Sequence, residues 1–130
     1  MLKRRKKSVA LVAAMAMTLS VGSTVFASPL IYDSEEGIGI EVERPTGVKT
    51  RSSIIQGDKV SVSGGTLWTT WKDGVVFRAN YDHSSKTHRC SVSNDHGTVK
   101  RSRWESKGTT AKSPWLDQTF SNNKAYAATK

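Results

Sequence analysis

Between Asn80 and Arg89 the chain places two of its three histidines, a tyrosine, an aspartate and two cations. Tyr81, His83, Lys86, His88 and Arg89 are the side chains there that can bind an anion, exchange a proton or stack on a ring. Further along, Lys100, Arg101 and Arg103 lead into Trp104. Arg and Lys hold phosphate oxygens through charge-assisted hydrogen bonds, and Arg can hold two at once. An indole or phenol face beside such cations can cover a sugar ring. These nine side chains form the candidate ligand-binding set, and their chemistry points to an anionic partner. The plainer alternative is a solvated cationic face that keeps the protein soluble.

The same residues do not spell out a metal or catalytic signature. His83, His88 and His96 come without H-E-x-x-H spacing, a cysteine pair or clustered carboxylates, so neither a metal nor a cofactor is expected. His88 with Asp82 or Cys90 is the best acid–base or nucleophile pair in the chain, and would suit a small secreted ribonuclease or wall hydrolase. No G-x-S-x-G motif and no paired glutamates accompany it. The expectation is therefore a binding protein with no catalytic residues.

Charge and compartment narrow the partner. Lys3 to Lys7 is a basic run, Val9 to Val21 is apolar, and Val25-Phe26-Ala27 offers small or modest residues before a cut between Ala27 and Ser28. That is the layout of a secretory signal peptide, spanning residues 1–27. The full chain has 20 Lys and Arg against 11 Asp and Glu; without the five cations of the leader, 15 remain against 11. The remainder is uneven. Ser28 to Asp58 carries six acids and three bases, whereas Lys59 to Lys130 carries 12 bases and five acids. A secreted, basic body points to phosphate-bearing envelope components ahead of nucleic acid, which is not expected as a partner. The single Cys90 cannot form an internal disulfide and is expected as a buried thiol.

The elements that must position the candidate set show a period of two. Val60 and Val62 alternate with serines, Thr66 to Trp71 is rich in β-formers, and Lys72-Asp73-Gly74 signals a tight turn. Val75, Phe77, Ala79 and Tyr81 share one face; His88, Cys90 and Val92 share another. Asn94 to Gly97 suits a hairpin loop, Thr98 to Trp104 a strand, and Thr109 to Trp115 with Lys124 to Ala128 a last pair. Short strands separated by frequent turns predict an all-β fold, a small antiparallel β-sandwich of two short sheets over residues 58–130. The aromatics Trp68, Trp71, Phe77, Tyr81, Trp104, Trp115, Phe120 and Tyr126 are the expected core anchors. Residues 28–57 suggest a flexible acidic extension or pro-segment, with one short strand available where Ile38, Ile40 and Val42 alternate. A body this small would gain from homodimerisation through a sheet edge or aromatic face.

Several of these strings together resemble the lactococcin 972 family of bacteriocins. The resemblance rests on Gly64-Gly65-Thr66-Leu67-Trp68, on Asn80-Tyr81-Asp82-His83-Ser84-Ser85-Lys86-Thr87-His88, on Lys100 to Trp104, and on Asn123 to Tyr126. It covers about Gly64 to Tyr126. It implies a small antiparallel sandwich and a secreted antibacterial protein that binds the wall precursor lipid II. It also implies that septum formation is blocked in related Gram-positive cells without an enzymatic step, at the outer face of the membrane. The chain departs from the family in its long acidic stretch before Gly57, in Cys90, and in Ala125-Tyr126-Ala127, where an aromatic doublet is common. The alternative is a secreted envelope- or host-binding module that does not kill.

Overall fold

Alternating side chains drive the chain into strands throughout the residues that the computed structural model describes, 29–44 and 54–130. In order these are β1 (Ile31–Asp33), β2 (Gly37–Glu41), β3 (Ile54–Gln56), β4 (Val60–Val62), β5 (Gly65–Lys72), β6 (Val76–Asp82), β7 (His88–Ser93), β8 (Val99–Arg101), β9 (Ala111–Lys112), β10 (Leu116–Asp117) and β11 (Lys124–Thr129). One sheet has the order β1-β2-β11-β7-β8. The other runs β10-β6-β5-β3, with β4 also on β5 and β9 also on β6. All pairings are antiparallel, and no helix occurs among the described residues. The expected small antiparallel β-sandwich is the fold.

Turn chemistry sets the registers. Asp73 (φ 55°) and Gly74 (φ 67°) both adopt the left-handed region, and Val75 N donates to Lys72 O at 3.0 Å. Two left-handed central residues match the right-handed twist of the flanking strands, which is why an Asp-Gly pair closes β5 onto β6. Ser63 (φ 52°) and Gly64 (φ 85°) do the same between β4 and β5.

The core joins bulky residues of one sheet to small ones of the other. Leu67, Trp71, Phe77 and Tyr81 are fully buried on β5 and β6, and they face Cys90, Val92, Ala125 and Ala127 of β7 and β11. Trp71 and Phe77 are register partners whose rings stack 4.8 Å apart at 17°. Such a pair adds about 0.5–1.5 kcal/mol beyond the area it buries. Large-against-small layering lets a short chain close the sandwich at interior packing density.

Several expectations need correction. Residues 28–57 do not form only an extension: β1, β2 and β3 lie within them, and Ile40 is 4% exposed in the core. Their acids suggested solvation, but the acids occupy the β1–β2 turn and outward positions while Ile38 and Ile40 turn inward. Gly39 permits this, because the ring of Tyr126 lies where a β-carbon would be, 2.4 Å away. The strand expected from Thr98 to Trp104 ends at Arg101, and the expected last pair does not form, since β9 pairs with β6 and β11 with β2 and β7 in the other sheet. Phe120 is not a core anchor but fully exposed, and Trp68, Trp104 and Trp115 are half-buried outside the main core. The proposed leader and its cut between Ala27 and Ser28 lie outside the described residues.

Candidate functional site

The segment with the most reactive side chains runs from the end of β6 to the start of β7, and the fold turns its tyrosine and both its histidines inward. Tyr81 is 0% exposed; its hydroxyl donates to Val62 O at 2.6 Å, and burial pushes the phenol up to about 12. The His83 ring is buried too. Nε2 lies 3.0 Å from Ser63 O, while Nδ1 accepts from the backbone N–H groups of Ser85 (3.2 Å) and Lys86 (3.1 Å). That pattern selects the Nε2–H tautomer and makes His83 a brace for the turn that follows it.

His88, fully buried, lies with Nδ1 2.8 Å from Lys86 O and Nε2 2.6 Å from Thr109 O. Both nitrogens face carbonyl oxygens, so the ring ties together two loops at one end of the sandwich. Backbone exchange with Glu105 secures the same point: His88 N donates to Glu105 O (3.0 Å), and Glu105 N to His88 O (2.7 Å). His83 and His88 pack 6.1 Å apart, each edge-on to Tyr81. Of the two suggested partners of His88, Cys90 directs its thiol to Ala79 O and Ala111 O, and Asp82 accepts from the Thr110 hydroxyl. Burial pushes the Cys90 thiol up to about 12. Tyr81, His83 and His88 thus hold the loop that presents their neighbours rather than facing a ligand.

The cations divide into occupied and available groups. Arg101 is occupied: its guanidinium binds the Glu36 carboxylate through Nε (2.6 Å) and Nη2, and reaches Glu35 at 3.4 Å. Burial alone would raise the Glu36 carboxyl, yet the hydrogen bond and charge of Arg101, with the Ser91 hydroxyl, hold it below its ordinary value. Arg103 is largely exposed, 3.9 Å from Glu105, and Lys86 and Lys100 are exposed. Arg89 folds over Trp104, its guanidinium 4.7 Å from the ring centroid, and donates from Nη2 to Glu35 O at 3.0 Å.

Trp104 meets a second cation, Lys130, whose Nζ lies 4.5 Å from the same ring. β11 brings it there, since Thr129 pairs with His88 and Lys130 N donates to Thr87 O at 3.0 Å. Arg89, Trp104 and Lys130 line a groove of about 410 Å³, with the exposed Tyr32 on its wall. The groove also includes Asp33 and Glu35. The Asp33 carboxylate is committed to the N–H groups of Glu36 and Glu35, which hold it below its usual range. Two aromatic faces with two cations beside them can take a sugar ring and a phosphate group together.

Of the nine sequence candidates, Arg89 and Trp104 meet in this groove; Tyr81, His83 and His88 support it from inside; Arg101 is paired; Lys86, Lys100 and Arg103 lie on the surface elsewhere. Tyr32 and Lys130 were missed. Tyr32 stood in the presumed extension, and alternation marked the last strand without naming its neighbours. No protein-family model, curated protein or solved structure matches this chain.

Proposed function

We propose that this is an exported, non-enzymatic antibacterial protein that binds a wall precursor such as lipid II and blocks wall and septum synthesis in related Gram-positive bacteria. One observation carries the reading: Trp104 has both Arg89 and Lys130 over its ring at the wall of an open groove. Lipid II joins sugars to a pyrophosphate, so a ligand of that class needs a flat apolar face and cations within one small site. Arg89 and Lys130 would take the pyrophosphate, while Trp104 and Tyr32 would cover sugar. The sequence resemblance and the leader-like N-terminus favour the same target.

Binding by sequestration is stoichiometric, so the protein should inhibit growth in proportion to the precursor it occupies. Added lipid II should relieve that inhibition. Growth inhibition that excess lipid II leaves untouched would reject this target. Surface binding without inhibition would support instead a non-killing envelope module.

A further inference from the structure

The outer face of the six-stranded sheet carries a second set of aromatic and cationic side chains, independent of the groove built on the five-stranded sheet. Register decides its composition. Leu67, Thr69 and Trp71 point into the core, so Trp68, Thr70 and Lys72 point outward. Across the ladder, Asn80 and Arg78 face the same way, and Lys112 extends the Trp68–Asn80 row by one strand.

Both half-buried indoles of this face lie under cations. Lys59 Nζ is 4.7 Å from the Trp68 centroid; over Trp115 stand the Arg78 guanidinium at 4.1 Å and Lys72 Nζ at 5.2 Å. The floor between them is polar and internally satisfied. Gln56 Oε1 accepts from Trp68 Nε1 (3.0 Å) and Thr70 Oγ1 (2.9 Å), and Asn80 Nδ2 donates to Thr70 Oγ1 (2.9 Å). Those bonds stiffen the platform and orient Trp68.

Lys59, Lys72 and Arg78 of this platform rest on indoles rather than on carboxylates. The ion pairs of Arg101 with Glu35 and Glu36, and of Arg103 with Glu105, lie away from this face. Arg78 Nε is buried without a hydrogen-bond partner. Two acids occupy strand positions on this face, at its opposite ends: Asp82, which accepts from Thr110, and Asp117, opposite Val76. Lys72 and Arg78 meet over Trp115, while Lys59, just before β4, and Lys112 on β9 stand apart from them, so the set spreads over a width of about 14 Å at ~4.8 Å per strand. A single phosphate needs converging donors, whereas this spacing suits a chain of them.

We infer that this face binds a linear phosphodiester polymer, whose phosphates meet Lys59, Lys72, Arg78 and Lys112 while its polyol or sugar units lie on Trp68 and Trp115. This is a second site, on the opposite side of the sandwich from the groove. It would hold the protein in an anionic wall while the groove engages its own ligand.

The test is titration of the purified protein with soluble poly(glycerol phosphate) over a range of salt, with single-stranded DNA as a parallel arm. Binding should weaken linearly in log salt. Lys72→Glu with Lys112→Glu, both at exposed positions, should weaken it roughly tenfold or more at low salt and reduce the slope by about 1.5. Arg89→Gln with Lys130→Gln should leave it unchanged. The indole N–H signals of Trp68 and Trp115 in the unaltered protein should shift on binding while that of buried Trp71 stays, a readout that needs no variant. No binding at low salt, equal binding by the charge-reversed protein, shifts confined to Trp104, or tighter binding of DNA than of poly(glycerol phosphate) would each overturn the inference.

Discussion

Replacing Glu36 with Gln removes the charge that anchors the β1–β2 hairpin to β8. The Glu36 side chain is 5% exposed and its Arg101 partner 39%, so the pair lies between a buried bridge and a surface one. Breaking a fully buried pair costs about 3–5 kcal/mol, and an exposed pair contributes about 0–1. With Arg101 screened on its open side, and Gln able to keep one hydrogen bond, the expected loss is about 1–3 kcal/mol near pH 7. The pH dependence has a definite sign. The Glu36 carboxyl is lowered from its ordinary 4.5, so its contribution is complete above that value and disappears as pH falls through the folded one. Urea unfolding of the unaltered protein and Glu36→Gln should therefore differ at pH 7, and the difference should shrink as pH falls below 4.5. Arg101→Gln should cost a similar amount, and the double variant less than the sum of the two. Amide exchange should accelerate first in β1 and β2. Equal stability at pH 7, or a difference that does not shrink as the solution is acidified, would refute the ionic anchoring of the hairpin.

Other substitutions test the rest of the fold. Phe77→Ala should cost about 3–5 kcal/mol because it leaves a cavity and unstacks Trp71, whereas Phe120→Ser should change unfolding free energy by less than about 0.5 kcal/mol. His88→Ala should lose about 2–4 kcal/mol in urea unfolding, since Lys86 O and Thr109 O lose their shared partner inside the sandwich. A fully stable His88→Ala protein would contradict the bracing role. Cys90 is buried and its thiol pushed up to about 12, so a thiol reagent at pH 8 should modify it only as fast as the protein opens. Immediate modification of the folded protein would contradict its placement in the core.

The strands with the cleanest alternation were legible in the sequence. Phe77, Ala79 and Tyr81 enter the core as a set, as do His88, Cys90 and Val92, whereas Val75, expected on the same face as Phe77, lies before β6 and is exposed. The Asp-Gly turn was equally plain, because its backbone demands a particular chemistry. Alternation also separates the faces of a strand without saying what covers them. Alternation with His88, Cys90 and Val92 places Arg89 on the opposite face of its strand, but nothing local indicates that the acidic turn Asp33–Glu36 folds back beside Arg89 and pairs with Arg101. Acids and bases some 65 positions apart looked like an extension and a basic body; in the fold they are partners. The candidate site shows the same division. Residue types singled out Arg89 and Trp104, but Lys130 joins them only through the pairing of β11 with β7. The histidines stood out for their reactivity, yet their ring nitrogens are engaged by the backbone, which only tertiary structure could disclose.

The groove as the precursor site is tested most directly by titrating lipid II into the unaltered protein and into Arg89→Gln/Lys130→Gln, with thermal unfolding of both as a check on folding. The unaltered protein should bind at micromolar concentration or tighter, about −8 kcal/mol or better, and the variant should lose at least tenfold at similar stability. Undetectable binding by the unaltered protein, or identical affinity in the variant, would contradict it.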